Sequence, residues 1–150
     1  MIQWDEQTMM TGIPSVDIKH KEWVRQFNRF DVSVSEGRSK EYIHSLLTFM
    51  EDFAELHFRL EELNVEVKNT PAYLIHREEQ ERIRLIVQAL HEGIDRYGVD
   101  SAEVATLKMD LEQWVRHHIS HVDALLWAEN KEGKRKKRML ISPEEKPDMV

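Results

Sequence analysis

The chain has 150 residues, enough for one domain with a buried core, and its five glycines, four prolines and 33% charged residues are typical of a helical protein. It contains no cysteine, which excludes disulfides, thiolate metal sites, cysteine-held iron–sulfur clusters and cysteine nucleophiles. Any bound metal must therefore be held by nitrogen and oxygen ligands.

The net charge of −7 is unevenly distributed along the chain. Residues 131–138 carry six positive charges and one negative charge, so the rest of the chain sums to −12. An acidic body of this kind argues against a nucleic-acid-binding protein. No apolar run approaches the roughly 18 residues that span a bilayer, and the N-terminus lacks a signal-peptide pattern. We therefore expect no membrane insertion and a cytoplasmic location.

The first helix is predicted over about residues 17–36, because apolar residues recur there at three- and four-residue spacing. Asp17 is its predicted N-cap, and Gly37 is the glycine expected just past its end. The side chains predicted to face inward are Ile18, Trp23, Phe27 and Phe30.

The same periodicity predicts three further helices, over about residues 39–64, 70–97 and 100–131. The third helix has the strongest start signal, because Thr70 precedes Pro71 and proline is favoured at the first helical position. The predicted N-caps of the three are Ser39, Thr70 and either Asp100 or Ser101.

Four long helices with short connections predict an all-α, up-down-up-down four-helix bundle. The first 12 or so residues are predicted to form an N-terminal arm, which we include with the bundle in one domain over residues 1–132. Residues 133–150 are predicted to be a flexible tail, first basic and then of mixed charge.

Metal-ligand residue types recur at helical spacing in these segments. His57 and Glu61 lie four residues apart, so both side chains can reach one point beside the helix. On an ideal α-helix, His118 and Asp123 lie about 140° apart, which still lets both lean toward a metal pair. Two adjacent divalent cations need bridging carboxylates to offset their repulsion, with imidazoles in the terminal positions. Such a ligand set suits iron and is built in bundle cores from facing helices.

Several short stretches together identify a family. They are Trp4; Thr11-Gly12-Ile13 leading to Val16-Asp17-Ile18-Lys19-His20; His57-Phe58-x-x-Glu61-Glu62; Pro71 five residues before His76; and Trp114-Val115-x-x-His118-Ile119-x-x-x-Asp123. Across about residues 4–127, the chain resembles the bacterial hemerythrins.

The resemblance implies a non-haem di-iron site that binds dioxygen end-on at one iron. The implied cofactor is two iron ions (Fe²⁺/Fe³⁺) with an oxo or hydroxo bridge. By the family pattern, His20 and His57 hold the iron with the open position, Glu61 and Asp123 bridge the two irons, and His76, the residue at position 80 and His118 hold the second iron.

Position 80 departs from the family, which has histidine where this chain has Gln80. A glutamine carbonyl is a weaker and harder ligand than imidazole. Three outcomes are open: the amide coordinates weakly, it hydrogen-bonds to a water on the metal, or it stays off the metal. Glu81 is the neighbour best able to replace the missing histidine, because a carboxylate is long enough to lean toward the site.

Three residues next to the predicted ligands, Trp114, Phe58 and Ile119, are expected to form core or pocket wall. The four remaining histidines are expected to be surface or hydrogen-bonded residues rather than ligands; they are His44, His91, His117 and His121.

The leading functional hypothesis is a protein that binds dioxygen, for storage, delivery or sensing, rather than an enzyme. Another small diatomic molecule or peroxide is the alternative ligand. A second hypothesis is that the altered ligand set acts catalytically on peroxide, dioxygen or nitric oxide. A third is a metal- or redox-responsive binding protein that reaches a protein partner through its tail.

Overall fold

The computed structural model describes residues 1–64 and 70–123, together with residues 125, 126, 128, 131, 135 and 138–140. Four long helices pack as a bundle, which confirms the all-α prediction, and the described part of the chain contains no strand. The elements are α1 (Glu6–Met9), α2 (Pro14–Ser35), α3 (Lys40–Asn64), α4 (Pro71–Tyr97), α5 (Ala102–His117) and a π-helical segment (His118–Asp123).

The long helices enclose the main hydrophobic core, and Val16, Tyr73 and Leu126 form a smaller second cluster. Each long helix packs against the next along the chain, and α2 also packs against α5, so the four close into a ring. Because the connections are short, consecutive helices run antiparallel. The aromatic side chains of Trp23, Phe27 and Phe30 are fully buried between them. Within the described residues, no helix combines the length and the hydrophobicity that a membrane span needs.

The helix starts predicted at Ser39 and Thr70 are confirmed by hydrogen bonds, and of the two candidates Asp100 and Ser101 the structure uses Ser101. The capping oxygens of Ser39, Thr70 and Ser101 accept from the backbone N–H groups of Tyr42 (3.2 Å), Tyr73 (3.3 Å) and Val104 (3.2 Å). Each cap satisfies a backbone donor that the first turn leaves free. α4 ends at Gly98, whose φ of 96° is a conformation that side chains other than glycine rarely adopt.

The prediction that Asp17 caps the first long helix is wrong. α2 begins at Pro14, whose fixed φ suits a first helical position, so Asp17 lies inside the first turn. The buried Asp17 Oδ1 accepts hydrogen bonds from the backbone N–H (2.7 Å) and the hydroxyl (2.8 Å) of Thr11. Because Asp17 turns inward, Ile18 points outward and is 67% exposed, contrary to the prediction that it faces the core.

The last helix differs from its prediction in shape. A regular α-helix extends only to His117 and is followed by the π-helical segment, whose i→i+5 bonding widens the turn. The Ser120 hydroxyl donates to the carbonyl of Arg116 at 2.6 Å, a type of contact that bends helices. The predicted continuation to about residue 131 falls only partly within the described residues.

The N-terminal arm packs on the bundle. Ile2 and Met9 are buried in the core cluster. Asn28 of α2 accepts from the backbone N–H of Ile2 at 2.6 Å and donates to its carbonyl at 2.8 Å. The predicted tail lies almost entirely outside the described residues.

Candidate metal centre

Six predicted ligand residues meet in the interior of the bundle, and each is at most 2% exposed. All four walls of the bundle contribute: α2 provides His20, α3 provides His57 and Glu61, α4 provides His76, and the π-helical segment provides His118 and Asp123. Charged side chains buried this deeply require partners or a cation.

These residues form two groups that share both carboxylates. The first group is His20 and His57 with Glu61 and Asp123, and the second is His76 and His118 with the same two carboxylates. Within each group, the potential ligand atoms all lie within 4.8 Å of one another. Each group is a mixed imidazole and carboxylate set of the kind that binds divalent transition metals.

The two oxygens of Asp123 face different groups. Oδ2 lies 2.6 Å from Nε2 of His20, whereas Oδ1 lies 3.0 Å from Nε2 of His76 and 2.9 Å from Nε2 of His118. A carboxylate with one oxygen on each side has the geometry of a bridging ligand.

Glu61 divides its oxygens in the same way. Oε1 faces the first group, in close contact with Nε2 of His57 and 3.4 Å from Nε2 of His20. Oε2 faces the second group, 2.5 Å from Nε2 of His76. The centre therefore contains two carboxylates in a bridging arrangement.

The π-helical segment explains how the last two residues join the centre. On an ideal α-helix, residues five apart point in different directions. The wider π turn brings His118 and Asp123 to the same side, and both are fully buried. This departure from α-helical geometry was not predicted, although the five-residue spacing was visible in the sequence.

The histidines and carboxylates in the centre stabilise one another's charged forms. Burial disfavours protonation of His20 and His76, but close contacts with the carboxylates outweigh it and raise their pKa values to about 9 and about 10. Burial and repulsion from Asp123 act against ionisation of Glu61, yet its histidine neighbours lower its pKa to about 2. Burial also opposes ionisation of Asp123, whose pKa is nevertheless held well below its usual range by attraction to His118. A metal must displace protons from these imidazoles in order to bind.

The contacts in the centre are close, but most of them lack the geometry of a hydrogen bond. Among the described residues, Nε2 of His118, Oε1 of Glu61 and both oxygens of Asp123 have no partner in hydrogen-bonding geometry. Buried polar atoms that converge without hydrogen-bonding to each other are expected of ligands that face a cation. The residues present therefore fit a bound metal pair.

Aromatic rings pack on the ligand side chains. Trp114 stacks on His118 with ring centroids 4.6 Å apart, and Phe58 meets His76 (5.5 Å) and His118 (5.2 Å) edge to face. Ile119 is fully buried beside them. The three residues predicted as core or pocket wall thus lie against the centre.

Trp23 belongs to this wall, although the sequence assigned it only to the core. Its ring lies 5.6 Å from that of His57 and 5.7 Å from that of His118. Its position three residues after His20, on the same helical face, is the sequence signal that could have identified it.

Gln80 does not join the converging ligand atoms. Its Nε2 donates to Oε1 of Glu62 at 3.0 Å and lies 3.4 Å from Nδ1 of His76. The Nε2 atom of His76, on the other side of the ring, is the one that contacts Glu61 and Asp123.

Glu81, the neighbour that the sequence offered as the best substitute for the missing histidine, does not face the centre. Its side chain is 56% exposed and pairs with Arg84 at 2.5 Å. Glu81 is adjacent to Gln80 on the helix, so its side chain points about 100° away from that of Gln80, toward solvent.

The other four histidines lie outside the centre, as predicted. His44 and His91 form a pair, with their Nδ1 atoms 2.6 Å apart, and His44 also contacts Asp95 at 2.9 Å. His117 and His121 stack on each other at 4.8 Å on the outer side of the bundle.

Comparison with known proteins identifies the family but gives no individual relative. No curated protein and no solved structure matches the chain. The sequence profile of the hemerythrin HHE cation-binding domain matches residues 11–128, which include all six converging ligand residues. The chain therefore belongs to the hemerythrin family of cation-binding domains.

Proposed function

We propose that this chain is a non-haem di-iron protein that binds dioxygen at a carboxylate-bridged metal pair, for oxygen storage, delivery or sensing. The observation that carries the proposal is the division of the oxygens of Glu61 and Asp123 between two pairs of histidines. A single metal would not need two carboxylates that each face both sides.

The residues would divide between the two irons as the family pattern implies. His20 and His57 would hold one iron, His76 and His118 the other, and Glu61 and Asp123 would bridge them. Nitrogen and oxygen ligands of this kind suit iron in both of its common oxidation states. The bound pair would supply the electrons that dioxygen takes up.

The protein's own contribution is to hold the ligands and to exclude water. The four imidazoles are almost fully buried, and the rings of Trp23, Phe58 and Trp114 pack on them. Exclusion of water strengthens the charge interactions within the centre and prevents loss of reactive species to solvent.

The first experiment is metal analysis after anaerobic loading with Fe²⁺ and removal of free iron. We expect about two irons per chain. His118→Ala should reduce this number, whereas His121→Ala, which removes an exposed histidine from the same segment, should not. One iron or none in the unaltered chain would overturn the proposal.

Exposure of the loaded protein to air then tests dioxygen binding. We expect a visible absorption band that disappears under argon and returns in air. A single irreversible change to the ferric state would count against reversible binding.

A second candidate function is catalysis on peroxide, dioxygen or nitric oxide, and the orientation of Gln80 favours it. With its amide on the outer side of His76, the second metal would have two imidazoles instead of three. Steady-state peroxide consumption that is lost in Glu61→Gln would support this candidate. Consumption no faster than that of free iron would end it. Partner binding through residues 133–150 stays a prediction from sequence.

A further inference from the structure

The side of the centre that faces Gln80 differs from its other sides. Within the described residues, the Nδ1 atoms of His20, His57 and His118 have no hydrogen-bond partner. His76 is the exception, because the Gln80 amide lies 3.4 Å from its Nδ1. Of these four ring nitrogens, the one on the α4 side therefore has a polar neighbour among the described residues, and the other three have no hydrogen-bond partner there.

Glu62 holds the Gln80 side chain in this orientation. The amide donates to Oε1 of Glu62 at 3.0 Å, across the α3–α4 interface. Both side chains are half-buried. In an imidazole ring, Nδ1 and Nε2 point in nearly opposite directions, so an amide tied to Glu62 beside Nδ1 is kept away from the metal-facing Nε2.

A groove of about 380 Å³ between α3 and α4 leads from the surface to these residues. Ala54, Phe58 and Ile83 supply apolar lining, and Gln80 and Glu62 supply polar lining. Phe58 also contacts the rings of His76 and His118. Phe58 thus both lines the groove and packs on the second group of ligands.

The charges along the groove largely cancel. Arg59 pairs with Glu55 at 2.7 Å and Arg84 pairs with Glu81 at 2.5 Å. Glu51, Glu62 and Arg77 also line the groove, so its lining carries four carboxylates and three guanidinium groups. A lining of this kind admits small molecules that are neutral or carry a single charge.

We propose that this groove is an access route to the metal held by His76 and His118, and that Gln80 leaves a coordination position there for a small exogenous ligand. The ligand class is water, peroxide or a triatomic monoanion. The inference rests on the proposed metal pair, and it adds a second binding position to the one that the family resemblance implies at the His20 and His57 side.

Azide titration of the ferric, iron-loaded protein tests the open position, with visible absorption as the readout. We expect two separate binding events in the unaltered chain. Gln80→His should abolish one event because imidazole fills the position. Gln80→Leu, which removes the amide but supplies no ligand, should keep both.

The titration separates failure of this inference from failure of the proposed function. Iron content below two per chain would contradict the metal pair itself. Full iron content with a single azide event in the unaltered chain would overturn the inference, and a second event that appears only in Gln80→Leu would show that Gln80 itself is the metal ligand.

The route is tested by partly closing the groove. Glu81→Trp places a large ring at its rim, and Glu78→Trp places the same ring on an exposed position of α4 outside the lining. We expect Glu81→Trp alone to slow the Gln80-dependent azide event severalfold while leaving the other event unchanged. Equal rates in both variants would contradict access through the groove.

Discussion

Glu61 Oε2 lies 2.5 Å from His76 Nε2, although the connection between α3 and α4 separates the two residues in sequence. The other oxygen of Glu61 faces His20 and His57. One buried carboxylate thus links three helices through a single pair of oxygen atoms.

Replacing this carboxylate tests its bridging role. In Glu61→Gln, the shape is nearly kept, but one negative charge and one anionic oxygen are lost, so we expect the chain to bind fewer than two irons. Glu55→Gln is the matched control on the same helix, because its side chain is 62% exposed and pairs with Arg59 at the surface. Equal iron content in the two variants would contradict the bridging assignment.

The metal-free protein should have a distinctive dependence of stability on pH. The raised pKa values of His20 and His76 contribute stability that is complete below about 6.5 and is lost as the pH rises toward 9 and 10. The lowered pKa values of Glu61 and Asp123 contribute stability that is complete above about 4.5 and is lost at lower pH.

Urea unfolding with a chelator present should therefore give the highest midpoint between about pH 4.5 and 6.5. The iron-loaded protein should instead gain stability from pH 6 toward 8, because protons compete with the metal for the imidazoles. A metal-free midpoint that rises between pH 7 and 9 would contradict the charge pairing described here.

The His44–His91 pair provides a second pH dependence, away from the metal centre. Partial burial and the nearby charge of His44 lower the pKa of His91, against weaker opposing effects of Glu51 and Asp95. Because His91 is protonated less readily in the folded state than in the unfolded state, the free energy of unfolding should fall as the pH drops below about 6.5. His91→Gln should lose less stability than the unaltered chain between pH 7.5 and 5.5, whereas His117→Gln should behave like the unaltered chain.

Phe58 is expected to support both the fold and the site. It is 5% exposed and contacts the rings of His57, His76 and His118. Phe58→Ala should cost about 3–5 kcal/mol of unfolding free energy and should accelerate the release of iron to a chelator. Phe49 lies on the same helix but is 50% exposed, so Phe49→Ala should have a much smaller effect on both measurements.

The π-helical segment can be tested by changing its length. Deletion of Ser120 would put His118 and Asp123 four residues apart, which on an ordinary α-helix also places them on one side. We expect this deletion to keep most of the iron binding. Insertion of an alanine after Ser120 would separate them by six residues and should abolish it. Iron content and helical circular dichroism of both variants check the prediction.

Local spacing was sufficient to predict the bundle, whereas the full set of residues in its centre came from the resemblance to the hemerythrins. The four-residue step from His57 to Glu61 and the hydroxyl caps follow from helix geometry alone. The joint orientation of His118 and Asp123 could not be predicted in this way, because regular α-helical geometry was assumed where the chain forms a π turn. The directions of Gln80 and Glu81 depend on side-chain torsions and on partners in other helices, Glu62 above all, and helical spacing does not determine these.

The shared carboxylates have a consequence for how the centre fills. A metal on either side would draw on both Glu61 and Asp123, so its binding would order ligands that the other side also uses. We therefore expect occupancy of the two sides to be cooperative, with little half-filled protein during loading. Release of one ion would in turn weaken retention of its neighbour, so that the pair is gained and lost together.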